Sequence, residues 1–406
     1  MFKRVIQSLL VVLLLAGFAD VSTAEFTVEM AVNLVLDQHP NLRSAAFAVE
    51  EEKGEARQAG LLPNPELELR GESWSVARGQ NNQMEVLAGI TQPLPLSGAR
   101  KFARQAGQAG VDAATQEAFA TRKEIISEAQ HLFYETLAAQ EKAVIVEEII
   151  SLEGQLTELT RQRFEHGDLP EVDYLRASTD YGRYQATLKE ICQERDALRR
   201  RLAHLCGVSP DEVGACTGSL APAIEDFPEE AALNDLLSQS PNHLARLAYE
   251  DQAEKEVRAE QRSAIPEPGL QVGLRRLTED RTNRMDVGLS VDLPLFDRNQ
   301  GAIHAAKARV QRIRAENEAK YQEEFRELTD LLLKGKRFLT LAEHLSTEVL
   351  PKQETTQQIL ESALVMGGTS LFEVLAEYRS TLETKQEILE NYANARDALI
   401  ELNALL

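Results

Sequence analysis

Among residue types that perform chemistry, seven histidines are present: His39, His131, His166, His204, His243, His304 and His344. No two stand three or four residues apart, so no helix presents a histidine pair to a metal. No HExxH, GxSxG or P-loop occurs, and an enzyme has nothing to rest on. The three cysteines are Cys192, Cys206 and Cys216, without a CxxC. Cys192 and Cys206 lie about 21 Å apart along one helix, too far to bridge. Cys206 and Cys216 flank a loop, and either bridge in an oxidising compartment or stay as buried thiols. Two acids remain at matching places, Asp173 in Val-Asp-Tyr-Leu and Glu373 in Phe-Glu-Val-Leu. Each falls just after a Gly-bearing turn, where a helix dipole favours negative charge.

The formal net charge of −21 excludes nucleic acid as a partner. It fits a well-solvated surface or a cation-favouring lumen. Residues 1–24 read as a signal peptide. Lys3 and Arg4 precede an apolar run from Leu9 to Phe18, and Ser22 and Ala24 offer small residues at a cleavage site. That run is shorter than the about 20 apolar residues a membrane helix needs. No other stretch is apolar enough, so any membrane crossing must use a closed β-barrel.

The elements that position Asp173 and Glu373 are written twice. Gln38-His-Pro-Asn-Leu42 is echoed by Gln239-Ser-Pro-Asn-His-Leu244, and Pro63-Asn-Pro-Glu-Leu67 by Pro266-Glu-Pro-Gly-Leu270. Leu94-Pro-Leu96 returns as Leu293-Pro-Leu295, and Gly167 as Gly367. The offsets are 201, 203, 199 and 200. The expected domains are therefore a first repeat over 25–206, a joining loop over 207–228 and a second repeat over 229–406.

Each repeat reads as helix, strand hairpin, long helix, turn and return helix. In the first, helices are expected over Thr27–Gly60, Gly98–His166 and Glu171–Leu205, with a hairpin about 66–94. In the second, they are expected over Glu229–Ala264, Gly301–Met366 and Ser370–Ala404, with a hairpin about 270–295. Gly98–His166 would span about 104 Å, and the two shorter helices about 51 and 52 Å. Short helices stacked end to end would match the long one, as a tall helical wall requires.

The strands alternate. Met285, Val287, Leu289, Val291 and Leu293 share one parity, with Asp286, Gly288, Ser290 and Asp292 between them. Leu270, Val272 and Leu274 alternate with Gln271, Gly273 and Arg275, and Met84, Val86, Ala88 and Ile90 share one parity. Such runs suit lipid on one face and water on the other. A parity shift at Gly71–Trp74 predicts a bulge there. Four strands cannot close a barrel, since about eight are needed. The expected fold is mainly α with a small β part. Three copies would give a 12-stranded transmembrane β-barrel, with their helices continuing below it as a tube. The loops Ala77–Gln83 and Thr278–Arg284 would face outside the cell.

With this plan the chain resembles the TolC-like outer-membrane efflux family over nearly its whole mature length. The junctions Gln92-Pro-Leu-Pro-Leu-Ser-Gly-Ala-Arg-Lys101 and Asp292-Leu-Pro-Leu-Phe-Asp-Arg-Asn-Gln-Gly301 resemble its heavy-metal, CzcC/CusC-like branch. The resemblance implies a homotrimeric exit duct for metal cations, with its α-helical barrel in the periplasm and its 12-stranded β-barrel in outer-membrane lipid, working with a periplasmic membrane-fusion adaptor and an inner-membrane RND pump, without a cofactor. It implies that the turns Gly167, Asp168, Leu169 and Gly367, Gly368, Thr369 dock the adaptor. It also implies a periplasmic gate at Glu373 and its counterpart Asp173. Ala376 stands at the second acidic gate position and Thr369 where a locking Arg is expected, so the resemblance does not say how the gate is held shut. The other readings are a duct for drugs or secreted polypeptide, and a soluble periplasmic coiled-coil adaptor or scaffold.

Overall fold

The structure is a computed structural model that describes residues 25–72, 85–277, 282–366 and 368–406. The signal-peptide segment, the expected loop Ala77–Gln83, Met84 and Gly367 therefore lie outside the described residues.

The N-terminal helix is two helices, α1 (Val28–Gln38) and α2 (Pro40–Ala59). Pro40 forces the break, because the residue before a proline avoids helical geometry and His39 is extended. The second half breaks alike, into α5 (Leu233–Ser238) and α6 (Pro241–Ser263), with Ser240 as N-cap. Between them run β1 (Glu66–Glu72), β2 (Glu85–Pro93), α3 (Ala99–Glu165) and α4 (Glu171–Cys206). After α6 come β3 (Pro268–Leu277), β4 (Thr282–Val291) and α7 (Gln300–His344). One π turn over Leu345–Val349 leads into α8 (Leu350–Val365), and α9 (Leu371–Leu405) ends the chain. The π turn precedes Pro351, which has no N–H for the helical ladder.

The chain divides into two compact units, each drawing on both halves of the sequence. One comprises residues up to His39, Ile125–Pro228 and Leu331–Ala404; the other comprises Pro40–Glu124, Glu229–Asp330 and Leu405–Leu406.

In the first unit, Phe133, Ile149, Leu202, Leu332, Leu339 and Leu402 are among the fully buried side chains. The joining loop is bound to this core by its backbone. Phe26 pairs with Cys216 in a parallel bridge, and the Gln140 side-chain amide closes both backbone groups of Cys216 at 3.0 and 3.1 Å. Arg396 lies over the Tyr134 ring at 4.7 Å and donates to the carbonyls of Leu220 and Ala221. These bonds satisfy polar groups that a loop would otherwise bury unpaired. Phe227 lies against Gly335, where an added Cβ would fall 2.4 Å from its ring.

In the second unit, the four strands form one antiparallel sheet in the order β1-β2-β3-β4. Pairing is regular through Glu72, which faces Glu85, so the expected bulge does not begin at Gly71 or Glu72; residues 73 and 74 lie outside the described residues. β4 starts at Thr282, inside the expected Thr278–Arg284 loop, and ends at Val291, so Leu293 is beyond the strand. Both exits use the same tight turn. Leu96 N–H donates to Leu94 at 2.9 Å across Pro95, and Leu295 N–H to Leu293 at 2.8 Å across Pro294.

Candidate functional site

The sheet has two unlike faces. Leu67, Ile90, Val272 and Val287 stand in one row across the four strands, and Leu69, Ala88, Leu274 and Met285 in another. Gln92, Leu270 and Leu289 extend the same face. Its large apolar side chains are exposed. The opposite face carries the row Glu68, Gly89, Gly273, Asp286 and the row Arg70, Leu87, Arg275, Arg284.

The polar face is the hollow one. Gln271 on β3 donates to Glu68 on β1 at 2.7 Å, reaching past β2. Arg275 on β3 lies 3.5 Å from Glu72 on β1, and also holds Glu85 at 2.8 Å and Asp286 at 2.7 Å. Side chains two strands apart, about 9–10 Å along the sheet, meet where the sheet curls towards them. Gly89 and Gly273 face each other at the bend, where a Cβ on Gly273 would fall 3.2 Å from the Gly89 Cα. Leu87, only 7% exposed, fills the hollow beside them. The result is a curved wall, apolar outside and charged inside.

The two turns near Asp173 and Glu373 are built alike. Asp168 N–H donates to the Arg163 carbonyl and Gly368 N–H to the Ala363 carbonyl, at 2.9 and 2.8 Å. Both bonds close the end of a helix. Gly167 takes φ +81°, which favours glycine. Leu169 and Thr369 are half-buried, whereas Asp168 and Gly368 are exposed. Arg163 of the first turn lies over the Phe372 ring beyond the second at 5.8 Å, so the two turns are neighbours.

Asp173 and Glu373 themselves differ. Ser370 caps α9, with Glu373 N–H donating to its Oγ at 3.3 Å and Ser370 N–H donating to Glu373 Oε2 at 3.2 Å. This is a capping box. The Thr369 hydroxyl also donates to Glu373 Oε2. The Thr369 hydroxyl and the Ser370 N–H hold the Glu373 carboxyl below its ordinary range. In the first half Pro170 occupies the cap and offers no side chain to bond. Asp173 instead lies 3.7 Å from Arg176. Among the described residues, no hydrogen bond or ion pair joins Asp173 to Glu373.

The profile of the outer membrane efflux protein family matches residues 31–208 and 232–406, one stretch in each half. The chain belongs to that family. It is similar to the cobalt-zinc-cadmium resistance protein CzcC of Cupriavidus metallidurans, with 24% identity over 394 residues, 96% of this chain and 92% of the relative. It is also similar to the nickel-cobalt-cadmium resistance protein NccC of Alcaligenes xylosoxydans xylosoxydans, with 25% identity over 74% of this chain and 68% of the relative. Its fold matches the solved CusC with a TM-score of 0.76 at 20% identity, covering 94% of this chain and 92% of that one. The outer membrane protein VceC of Vibrio cholerae matches with a TM-score of 0.75 at 18% identity, covering 93% and 95%.

As an outer membrane efflux protein, the chain is a conduit and not an enzyme, set in the outer membrane with most of its helical length in the periplasm. Among the described residues no helix is long and apolar enough to cross a membrane. No group of three or more His, Cys, Asp or Glu among them is placed to hold a metal ion. Cys206 and Cys216 are free buried thiols, which resolves the choice left open by their spacing. Burial pushes their pKa values up to about 11 and about 12.

Two arrangements in this efflux protein escape sequence reading. One is the ladder around Arg275, although the alternation of charge over Glu66–Glu72 hinted at it. The other is Glu153 on α3, only 3% exposed and paired with Arg379 on α9. They stand 226 positions apart, and no local pattern connects them.

Proposed function

We propose that three copies of this chain form an exit duct that carries heavy-metal cations out through the outer membrane. The curled sheet supports this reading most directly. It is apolar on its convex face and charged on its concave face, and its four strands end in two unpaired edges, β1 and β4. Closing those edges against further copies gives 12 strands with lipid outside and water inside. The resistance proteins named above supply the cargo, since cobalt, zinc, nickel and cadmium are divalent cations. The chain's net charge of −21 suits such a cargo.

On this reading residues 1–24 are a signal peptide removed on export. Residues 25–206 and 229–406 are two copies of one unit, linked by 207–228. The matching proline turns and matching tip bonds support that duplication. The paired tips at Gly167–Leu169 and Gly367–Thr369 take the hairpins of a periplasmic adaptor, which connects to an inner-membrane RND pump. Asp173 and Glu373 ring the constriction, six carboxylates in a trimer. The test is to express the chain with a metal-exporting pump and adaptor in cells lacking their own duct. Restored zinc or cobalt tolerance is the expected result. Tolerance no better than without the chain, with the protein present in the outer membrane, would overturn the metal reading.

A further inference from the structure

The helices of the second unit lie side by side, and their contacts fix their relative heights. At Gly107 of α3 an added Cβ would fall 2.6 Å from the Ala56 Cα of α2, so these two helices touch. At Gly110 an added Cβ would meet Glu52 Oε2 at 2.9 Å and Gln252 Nε2 at 3.1 Å. Glu52 of α2 and Gln252 of α6 therefore stand at one height on either side of α3. On the other side of α6, the Asn317 side-chain amide of α7 donates to the Arg246 carbonyl at 3.3 Å, and Arg314 donates to Glu250 at 2.7 Å. The order is α2-α3-α6-α7, the same as that of the strands they lead into or leave. α2 and α7 are the end helices.

Each end helix has a free face. On α2 the face turned from Glu52 and Ala56 carries Glu51 and Phe47, and Phe47 is 67% exposed. On α7 the face turned from Arg314 and Asn317 carries Arg312, Ala315 and Ala319, all exposed, with Arg312 pairing to Glu316 one turn along its own helix at 2.7 Å. Their heights correspond. α2 and α6 both run towards the sheet, so Phe47 stands level with residue 247 of α6. That is beside Arg246, where Asn317 of α7 bonds. Phe47 is therefore level with the gap between Ala315 and Ala319. Glu51, one turn nearer the sheet, is level with Arg312. Rotation about an axis along the helices changes no heights.

We infer that α2 of one copy packs on α7 of the next, with Phe47 seated between Ala315 and Ala319 and Glu51 facing Arg312. A large apolar knob then meets two small side chains, and a carboxylate meets a guanidinium. The occupant of each free face is a second copy of this chain, so the seam seals the helical wall below the strand seam. This rests on the oligomeric duct proposed above and names the residues that close it.

The test is the full-length Glu51→Cys, Arg312→Cys double variant, oxidised mildly in outer-membrane preparations and run on a non-reducing gel. A ladder ending at three chains is expected, with neither single variant giving it. A gel showing single chains only, from a detergent particle with the mass of three, would overturn this seam and leave the duct standing. A particle with the mass of one chain would overturn both. A second pair of variants needs no cross-link. Phe47→Leu should keep the wild-type trimer yield, and Phe47→Glu should lose most of it. Equal yields for the two would overturn the seating of Phe47.

Discussion

Glu373 shows how much one carboxylate can hold at a helix start. Its bonds from Thr369 and Ser370 favour the charged form, so its folded pKa lies below the ordinary 4.5. An acid lowered by folding stabilises the fold fully above its unfolded pKa, and loses that contribution as pH falls through the folded value. Amide protection over Ser370–Val374, taken relative to the intrinsic exchange rate at each pH, should therefore be full at pH 7 and fall as pH drops below the ordinary glutamate range. In Glu373→Gln that protection should be lower at pH 7 and nearly flat with pH. Identical profiles for the two chains would remove Glu373 from the cap. The thiols are the converse case. With burial holding Cys206 and Cys216 at about 11 and about 12, both stay protonated at pH 8. A maleimide at pH 8 should modify neither until the chain is unfolded, as read by peptide mass; rapid native labelling of either would contradict the burial. Sequence placed Asp173 and Glu373 as equivalents, and their positions in the first turns of α4 and α9 are equivalent. Their chemistry is not, because Pro170 stands where Ser370 offers a hydroxyl.

The strands were readable because a period of two survives any packing. Their register was not, since pairing depends on curvature that no single strand carries. Val287 and Leu289 share the convex face, and Ser290 lies on the concave one. Arg at either apolar position should cost about 2–4 kcal/mol per copy if it lies near the bilayer midplane. Trimer yield in outer membranes should fall steeply for Val287→Arg and Leu289→Arg, and little for Ser290→Arg. Equal yields would mean that the faces are assigned the wrong way round. The helices were legible in extent but not in their interruptions. The periodic pattern runs through His39–Pro40, Ser240–Pro241 and the turn before Pro351, and a proline there redirects the backbone without disturbing the apolar period. The long-range links follow no period at all. Glu153 with Arg379, and Phe227 on Gly335, join residues that only the folded chain brings together.

At the scale of the molecule, the echoes between the two halves were plain in sequence, and each half carries one hairpin and one helical return. The compact units were not, because each draws on both halves, with α3 and α7 contributing to each. A half that is contiguous in sequence need not be compact by itself when its long helix contributes to both units. Assembly is the remaining level. A four-stranded sheet with a charged hollow face is incomplete as a membrane structure, because its edge groups have no water to bond in lipid. On the proposed function, closing those edges against further copies makes a water-filled duct that favours cations. The most direct measurement is the reversal potential of the purified, detergent-solubilised protein in a planar bilayer, under a gradient of potassium chloride. Discrete conductance steps, a reversal potential on the cation side, and partial block when millimolar zinc is added are expected. A protein that inserts and stays silent, or one that selects chloride, would contradict that function.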